Sequence, residues 1–149
     1  MQSTDRKQYI EFCVDGENYA ISISEIHEII KMQEITDIPN SFSYVQGVIN
    51  LRGRIVPVIS LRSLFMLEPD DYTKATRIVV VNHKQDAVGI IVDKVSKVTT
   101  FGDIQPPPDK IANVSGSFFT GIGLAADESL VGILKLDEVL IGNGQGGSW

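Results

Sequence analysis

A single cysteine, Cys13, stands in 149 residues, so no internal disulfide can staple the fold. It lies in an apolar run, where a thiol reads as a small inert hydrophobe. That usage fits a reducing cytoplasm. Histidine is nearly as scarce. His27 and His83 fall in different halves with no cysteine pair beside them, and a metal site needs several convergent ligands. Long apolar runs are missing too. The longest, AVGIIV at 87–92, is far short of the roughly 20 residues that span a bilayer. No charged segment followed by an apolar one opens the chain, so no secretory leader is expected. Together these point to a cytoplasmic protein whose link to any membrane runs through a partner.

Positive charge is in deficit. Lys and Arg number 13 against 19 Asp and Glu, a net charge of −6. Binding to a phosphate backbone relies on clustered basic groups, so nucleic acid is not an expected partner. Unaided adhesion to an anionic membrane is disfavoured on the same ground. Strong helix formers are also few: 9 Leu and 6 Ala against 19 Ile and 15 Val. β-branched side chains lose freedom in helices and pack well on pleated surfaces, so the chain reads as mainly β. With 43% hydrophobic residues it has the means to form a core, and its length predicts one compact domain.

The common catalytic sets are absent. Ser24, Ser60 and Ser115 show no base and orienting group at a triad-like spacing. No phosphate-cradling loop ends in Gly-Lys-Ser/Thr, and Gly121 and Gly123 sit inside a strand pattern. The carboxylates of Asp70 and Asp71 lie on a charged connector, not on a rigid scaffold for acid–base work. An enzyme is not expected, and no cofactor or metal is implied.

What is present is a succession of short strands. YIEFCV (9–14), turn chemistry at Asp15-Gly16-Glu17-Asn18 and YAISI (19–23) read as a hairpin. Ser22-x-x-Glu25 has the form of a capping box, and Ile23, Ile26, Ile29 and Ile30 follow helical spacing, which predicts a helix from there to Lys31. Pro39-Asn40-Ser41 breaks the chain. VQGVIN (45–50) and RIVPVIS (54–60) predict a second hairpin, its type I turn starting at Asn50 and placing Leu51 and Arg52 at the tip. Pro57 lacks an amide hydrogen, so its strand should lie at an edge or carry a bulge. LRSLF (61–65) reads as one helical turn. The second half repeats the plan with RIVVVN and AVGIIV, a Pro106-Pro107-Pro108 connector, FTGIGLA and LVGILKL, and a closing DEVL. Two β lobes of about 70 residues follow, roughly 15–70 and 76–140 with the N-terminal strand shared. Lobes this small are marginal alone, so a common core and joint unfolding are expected. The polar start, 1–8, and the Gly-rich end, 141–149, read as flexible.

The segment VQGVINLRGRIVPVISLR (45–62) strongly resembles the CheW family of bacterial chemotaxis coupling proteins. It carries Gly47-Val48-Ile49, Asn50-Leu51-Arg52-Gly53, Ile55-Val56-Pro57-Val58 and Leu61-Arg62 in one stretch. YAISISEIHEIIK upstream, and VGIIVDKVSKV and FTGIGL downstream, extend the resemblance over about 9–140. It implies a fold of two packed five-stranded, SH3-like β barrels with one or two short helices. It also implies a non-catalytic adaptor that bridges a chemoreceptor's cytoplasmic helical hairpin to the regulatory domain of a chemotaxis histidine kinase.

The receptor groove of the family lies between the lobes, and the matching positions are Ile26, Glu28, Gly47, Arg52, Gly89 and Val98. Glu28 and Arg52 correspond to an acidic–basic pair. At a turn tip, Arg52 could reach either Glu28 or an acidic group on the receptor, and its planar fork makes directed bonds that Lys does not. Gly47 and Gly89 read either as close-approach positions for a partner backbone or as bulge and packing glycines. Ile26 and Val98 read as partner contacts or as core. Ser60 departs from the acidic residue common before Leu-Arg in the family. Kinase-contact residues are not assigned. Two alternatives carry different consequences: a coupling domain belonging to a larger coupling–receiver fusion or kinase, and a small-ligand-binding protein.

Overall fold

The computed structural model of the chain describes residues 7–39, 43–111 and 114–141. Most of the break read at 39–41 and of the two ends read as flexible lies outside these residues.

Strands β1 (Tyr9–Val14) and β2 (Glu17–Ser22) form the first hairpin. It turns on Asp15 and Gly16 alone, whose φ angles of 53° and 79° give the doubly left-handed turn that matches strand twist. A 3₁₀ turn, Ile23–Glu25, leads into β3 (Ile26–Lys31). Strands β4 (Val45–Leu51) and β5 (Arg54–Ser60) make the second hairpin, followed by the one-turn helix α1 (Leu61–Leu64). Strands β6 (Arg77–His83) and β7 (Asp86–Val92) make the third. After them come β8 (Lys94–Thr99), β9 (Asp103–Gln105) and a short pair, β10 (Lys110–Ile111) with β11 (Val114–Ser115). Strands β12 (Phe119–Leu124) and β13 (Leu130–Leu134) precede α2 (Leu136–Ile141).

Two sheets carry the fold, one ordered β3-β6-β7-β5-β4 and the other β8-β1-β2-β13-β12-β9. The mainly β, two-sheet expectation holds, with six strands rather than five in the second sheet. The sheets are not the two halves of the chain. β6 and β7, read as second-lobe strands, complete the five-stranded sheet, while β1 and β2 enter the other one. Near-continuous apolar runs such as RIVVV need burial on both faces, which β6 finds between two cores.

That double burial is visible in the packing. Val79, Val81, Val88, Ile90 and Val92 face a core shared with Phe12, Val14, Tyr19 and Ile21 of the other sheet. Ile78, Val80, Ala87 and Ile91 face the opposite way, into a second core with Ile49, Leu51, Val56 and Val58. The five-stranded sheet curls until its edges meet. Thr36, beyond β3, exchanges two 2.9 Å backbone hydrogen bonds with Val48 of β4.

Three local expectations are corrected. The helix read from Ser22 to Lys31 is a 3₁₀ turn followed by a strand. His27 is an extra residue, a bulge between Ile26↔Val81 and Glu28↔Val80, so Ile26 and Ile29 share a face despite their spacing of three. Ile30 packs into the second core on the other face. Apolar residues on both faces plus one bulge reproduce helical spacing. Ser22 makes no capping bond; its hydroxyl pairs with that of Ser24 at 2.9 Å.

The β4–β5 turn is not the type I turn expected. Arg52 and Gly53 occupy it with φ of 53° and 87°, and Leu51 pairs with Arg54 and is buried. Asn50 still serves the turn, its Oδ1 accepting from the Gly53 N–H at 2.8 Å. Pro57 is not on an edge strand, since β5 lies between β4 and β7. The parallel ladder with β7 begins at Val58, one residue beyond the proline, and the bulge sits in the partner strand between Val45 and Gly47.

Candidate functional site

Glu28 and Arg52 meet across the mouth of the curled sheet. Glu28 projects from β3, and Arg52 reaches it from the tip of the β4–β5 hairpin. The guanidinium is bidentate: Nη1 donates to Oε1 at 3.3 Å and Nη2 donates to Oε2. Hydrogen bonding from Arg52 holds the Glu28 carboxyl below the ordinary glutamate value, and the carboxylate in turn pushes the guanidinium up. His27, lifted out by the bulge, brings Nε2 to 3.5 Å from Glu28 Oε2. The side chain of Arg52 is 66% exposed and that of Glu28 25%. A guanidinium has five N–H donors, so the pair leaves about three for an outside acceptor.

The other positions divide. Gly47 sits in the β4 bulge with φ of +143°, and a Cβ there would lie 2.1 Å from the carbonyl oxygen of Thr36. Gly89 is buried in β7, where a Cβ would lie 2.7 Å from Ile78 Cγ2. Both glycines therefore fit their own chain tightly. Ile26 is partly buried and packs against the shared core. Val98 is 51% exposed, on β8 at the edge of the six-stranded sheet. The structure thus brings Ile26, Glu28, Gly47, Arg52 and Gly89 to one sheet and places Val98 on the other.

Ile55 and Arg62 are motif anchors in the sequence to which no site role was given. Ile55, opposite Asn50 on the same hairpin as Arg52, is 68% exposed. Its place in an alternating strand is the signal that could have found it, since the turn geometry decides which face is solvent. Arg62, noticed only as a motif anchor, is 16% exposed and forks onto Asp93. Burial opposes ionisation of Asp93, but the bonds from Arg62 and the Asp15 N–H outweigh it and hold the carboxyl below the ordinary aspartate value. Ser60, the departure from the acidic residue that the resemblance implies, caps α1 by accepting from the Ser63 N–H at 3.2 Å. An aspartate would serve the same cap, so the departure leaves the local fold intact. Among the described residues no helix is long and apolar enough to cross a membrane.

The chain is similar to known proteins over nearly its whole length. The family model of the CheW-like domain matches residues 8–142. The chain is 38% identical over 135 residues to the chemotaxis protein CheW of Helicobacter pylori, covering 89% of this chain and 81% of that protein. It is 35% identical to the chemotaxis protein CheW of Klebsiella aerogenes, covering 90% and 81%. The crystal structure of the scaffolding protein TtCheW from Thermoanaerobacter tengcongensis superposes with a TM-score of 0.86 at 33% identity, covering 94% of this chain and 96% of that one. With its two-sheet fold and near full-length match, the chain belongs to the CheW-like domain family of chemotaxis scaffold proteins.

Proposed function

We propose that this chain is a non-catalytic adaptor that couples the cytoplasmic helical hairpin of chemoreceptors to the regulatory domain of the chemotaxis histidine kinase. It works in the cytoplasm and reaches membrane-associated receptor arrays through those partners. The observation that carries the reading is the Glu28–Arg52 pair. A guanidinium pinned by one carboxylate yet two-thirds exposed is oriented for a second acceptor, such as an acidic group on a receptor helix.

The receptor contact in this reading runs over Ile26, Glu28 and Arg52, with Val98 as the apolar element from the other sheet. Gly47 and Gly89 act indirectly, by letting the sheet close tightly behind the contact surface. Calorimetric titration with the regulatory domain of the cognate kinase tests the reading. Micromolar affinity, about −8 kcal/mol, is expected of an exchangeable scaffold contact. No heat with both partners folded overturns it.

A further inference from the structure

Among the described residues, two short connections carry the chain from the first pair of strands to the five-stranded sheet and back: the 3₁₀ turn at Ile23–Glu25 and the single residue Asp93. Asp93 follows β7 in the five-stranded sheet and precedes β8 in the six-stranded one. A one-residue crossover has two soft backbone torsions, and the ladder with β1 fixes β8 only within its own sheet, so its direction against the other sheet calls for a restraint at the crossover.

Arg62 meets that need. Its Nε donates to Asp93 Oδ1 at 3.1 Å and its Nη2 to Asp93 Oδ2 at 2.7 Å. Nη1 donates to the Glu68 carbonyl at 2.7 Å, which ties the chain after α1 to the same group. The carboxylates of Asp15 and Asp70 lie 3.5 and 3.6 Å from the guanidinium. Asp93 is held from its other side as well. Its Oδ2 accepts from the Asp15 N–H at 2.8 Å, and its own N–H donates to the Cys13 carbonyl at 3.0 Å. One guanidinium on α1 therefore joins the end of the five-stranded sheet to the β1–β2 turn and the start of β8. A planar fork restrains angle as well as distance, which an ammonium does not.

We propose that Arg62 is a positioning residue: by holding Asp93 it sets the direction of β8, and with it Val98, against the sheet that carries Ile26, Glu28 and Arg52. The consequence for receptor binding rests on the function proposed above. The geometric part does not. Arg62 touches no partner in this scheme and acts through the placement of Val98.

Residual dipolar couplings of backbone amides in both sheets read the geometry without any partner. Arg62→Ala should leave each sheet internally unchanged, with amides of Phe12, Val79, Ile90 and Ile133 still protected from exchange, while rotating the six-stranded sheet, β8 with it, relative to the five-stranded one. Asp93→Asn, which keeps the volume and loses the charge, should rotate it in the same sense by less. Couplings of both variants that fit the wild-type orientation overturn the proposal. Titration with a receptor-tip hairpin supplies the second arm. Arg62→Ala should weaken binding roughly tenfold, Arg62→Lys should recover only part of it, and the losses from Arg62→Ala and Val98→Ala should not add. Additive losses overturn the link to Val98. A wild-type protein that ignores the receptor tip refutes the adaptor function instead, and the dipolar couplings still decide the role of Arg62.

Discussion

Gly47 lies so close to Thr36 that no side chain fits between them: a Cβ would stand 2.1 Å from the Thr36 carbonyl oxygen and 2.8 Å from its carbon. The contact is made where Thr36 and Val48 close the five-stranded sheet on itself. The φ of +143° at Gly47 adds a conformation that other residues rarely adopt. Gly47→Ala must therefore push the segment after β3 away and strain its own backbone. A loss of about 3 kcal/mol is expected. For a chain of this length that lowers Tm by roughly 6–12 °C. Denaturant melts of the purified variant check it, and an unchanged midpoint refutes the close approach. The same clash means that Gly47→Arg would disturb folding before it tested any groove.

Phe65 ties the two sheets into one cooperative unit. It follows α1 on the side of the five-stranded sheet, yet its ring centroid is 5.5 Å from that of Tyr19 on β2 and 6.1 Å from that of Phe119 on β12. It also meets Phe118 at 5.6 Å. Phe65→Ala should cost about 3–5 kcal/mol. The loss should appear in a single transition, the same by circular dichroism and by tyrosine fluorescence, because the emptied space borders both sheets. Two separated transitions would mean that the lobes fold independently.

How much of this was legible in the sequence depended on local geometry. The hairpins were, because alternation and turn residues such as Asp15-Gly16 act over a few positions. Strand β3 was not. His27 inserts one residue, and the strand has cores on both sides, so Ile26, Ile29 and Ile30 imitate a helix. The turn at Arg52 departs from the type I form because Asn50, though it has the chemistry of a first turn residue, stabilises the turn from outside by accepting from Gly53. Glu28 and Arg52 were legible through family resemblance alone, being 24 residues apart with no shared local motif. Arg62 and Asp93 are 31 apart, and their pairing follows from the crossover between sheets, which no local pattern encodes.

Asp93 and Glu25 should give stability opposite dependences on pH. The folded value of Asp93 is lowered, so the unfolded chain binds more protons as pH falls through the ordinary aspartate value of 3.8. Its contribution is present above that value and lost as pH drops through the folded one. The stability difference between wild type and Asp93→Asn should therefore shrink between pH 6 and pH 3. Urea titrations across that range test it, and a constant difference contradicts it.

Glu25 runs the other way. Burial pushes its carboxyl above the ordinary value of 4.5, with Asp137 adding to the shift and Lys7 and His83 opposing it. Here the folded state holds the proton longer, so stability falls as pH rises from 4.5 through the folded value. Glu25→Gln cannot ionise and should gain on the wild type between pH 4 and pH 7. Parallel stability curves over that interval would show that Glu25 pays no desolvation cost.

Arg52 should separate binding from folding. Its side chain is 66% exposed, its backbone already holds a φ of 53° that alanine would share, and its bonds to Glu28 lie at the surface. Exposed ion pairs add little to stability because water screens them and both side chains lose freedom. Arg52→Ala should therefore melt within about 2 °C of the wild type. Receptor-tip affinity should fall roughly tenfold or more, since a directed charged contact at a partner surface is made only in the complex. Arg52→Lys should not restore it fully, because an ammonium cannot bond Glu28 and a second carboxylate in one plane. The two measurements divide the possibilities. A large fall in melting temperature would make Arg52 a structural brace for the hairpin, and a folded variant with undiminished affinity would remove it from the receptor contact.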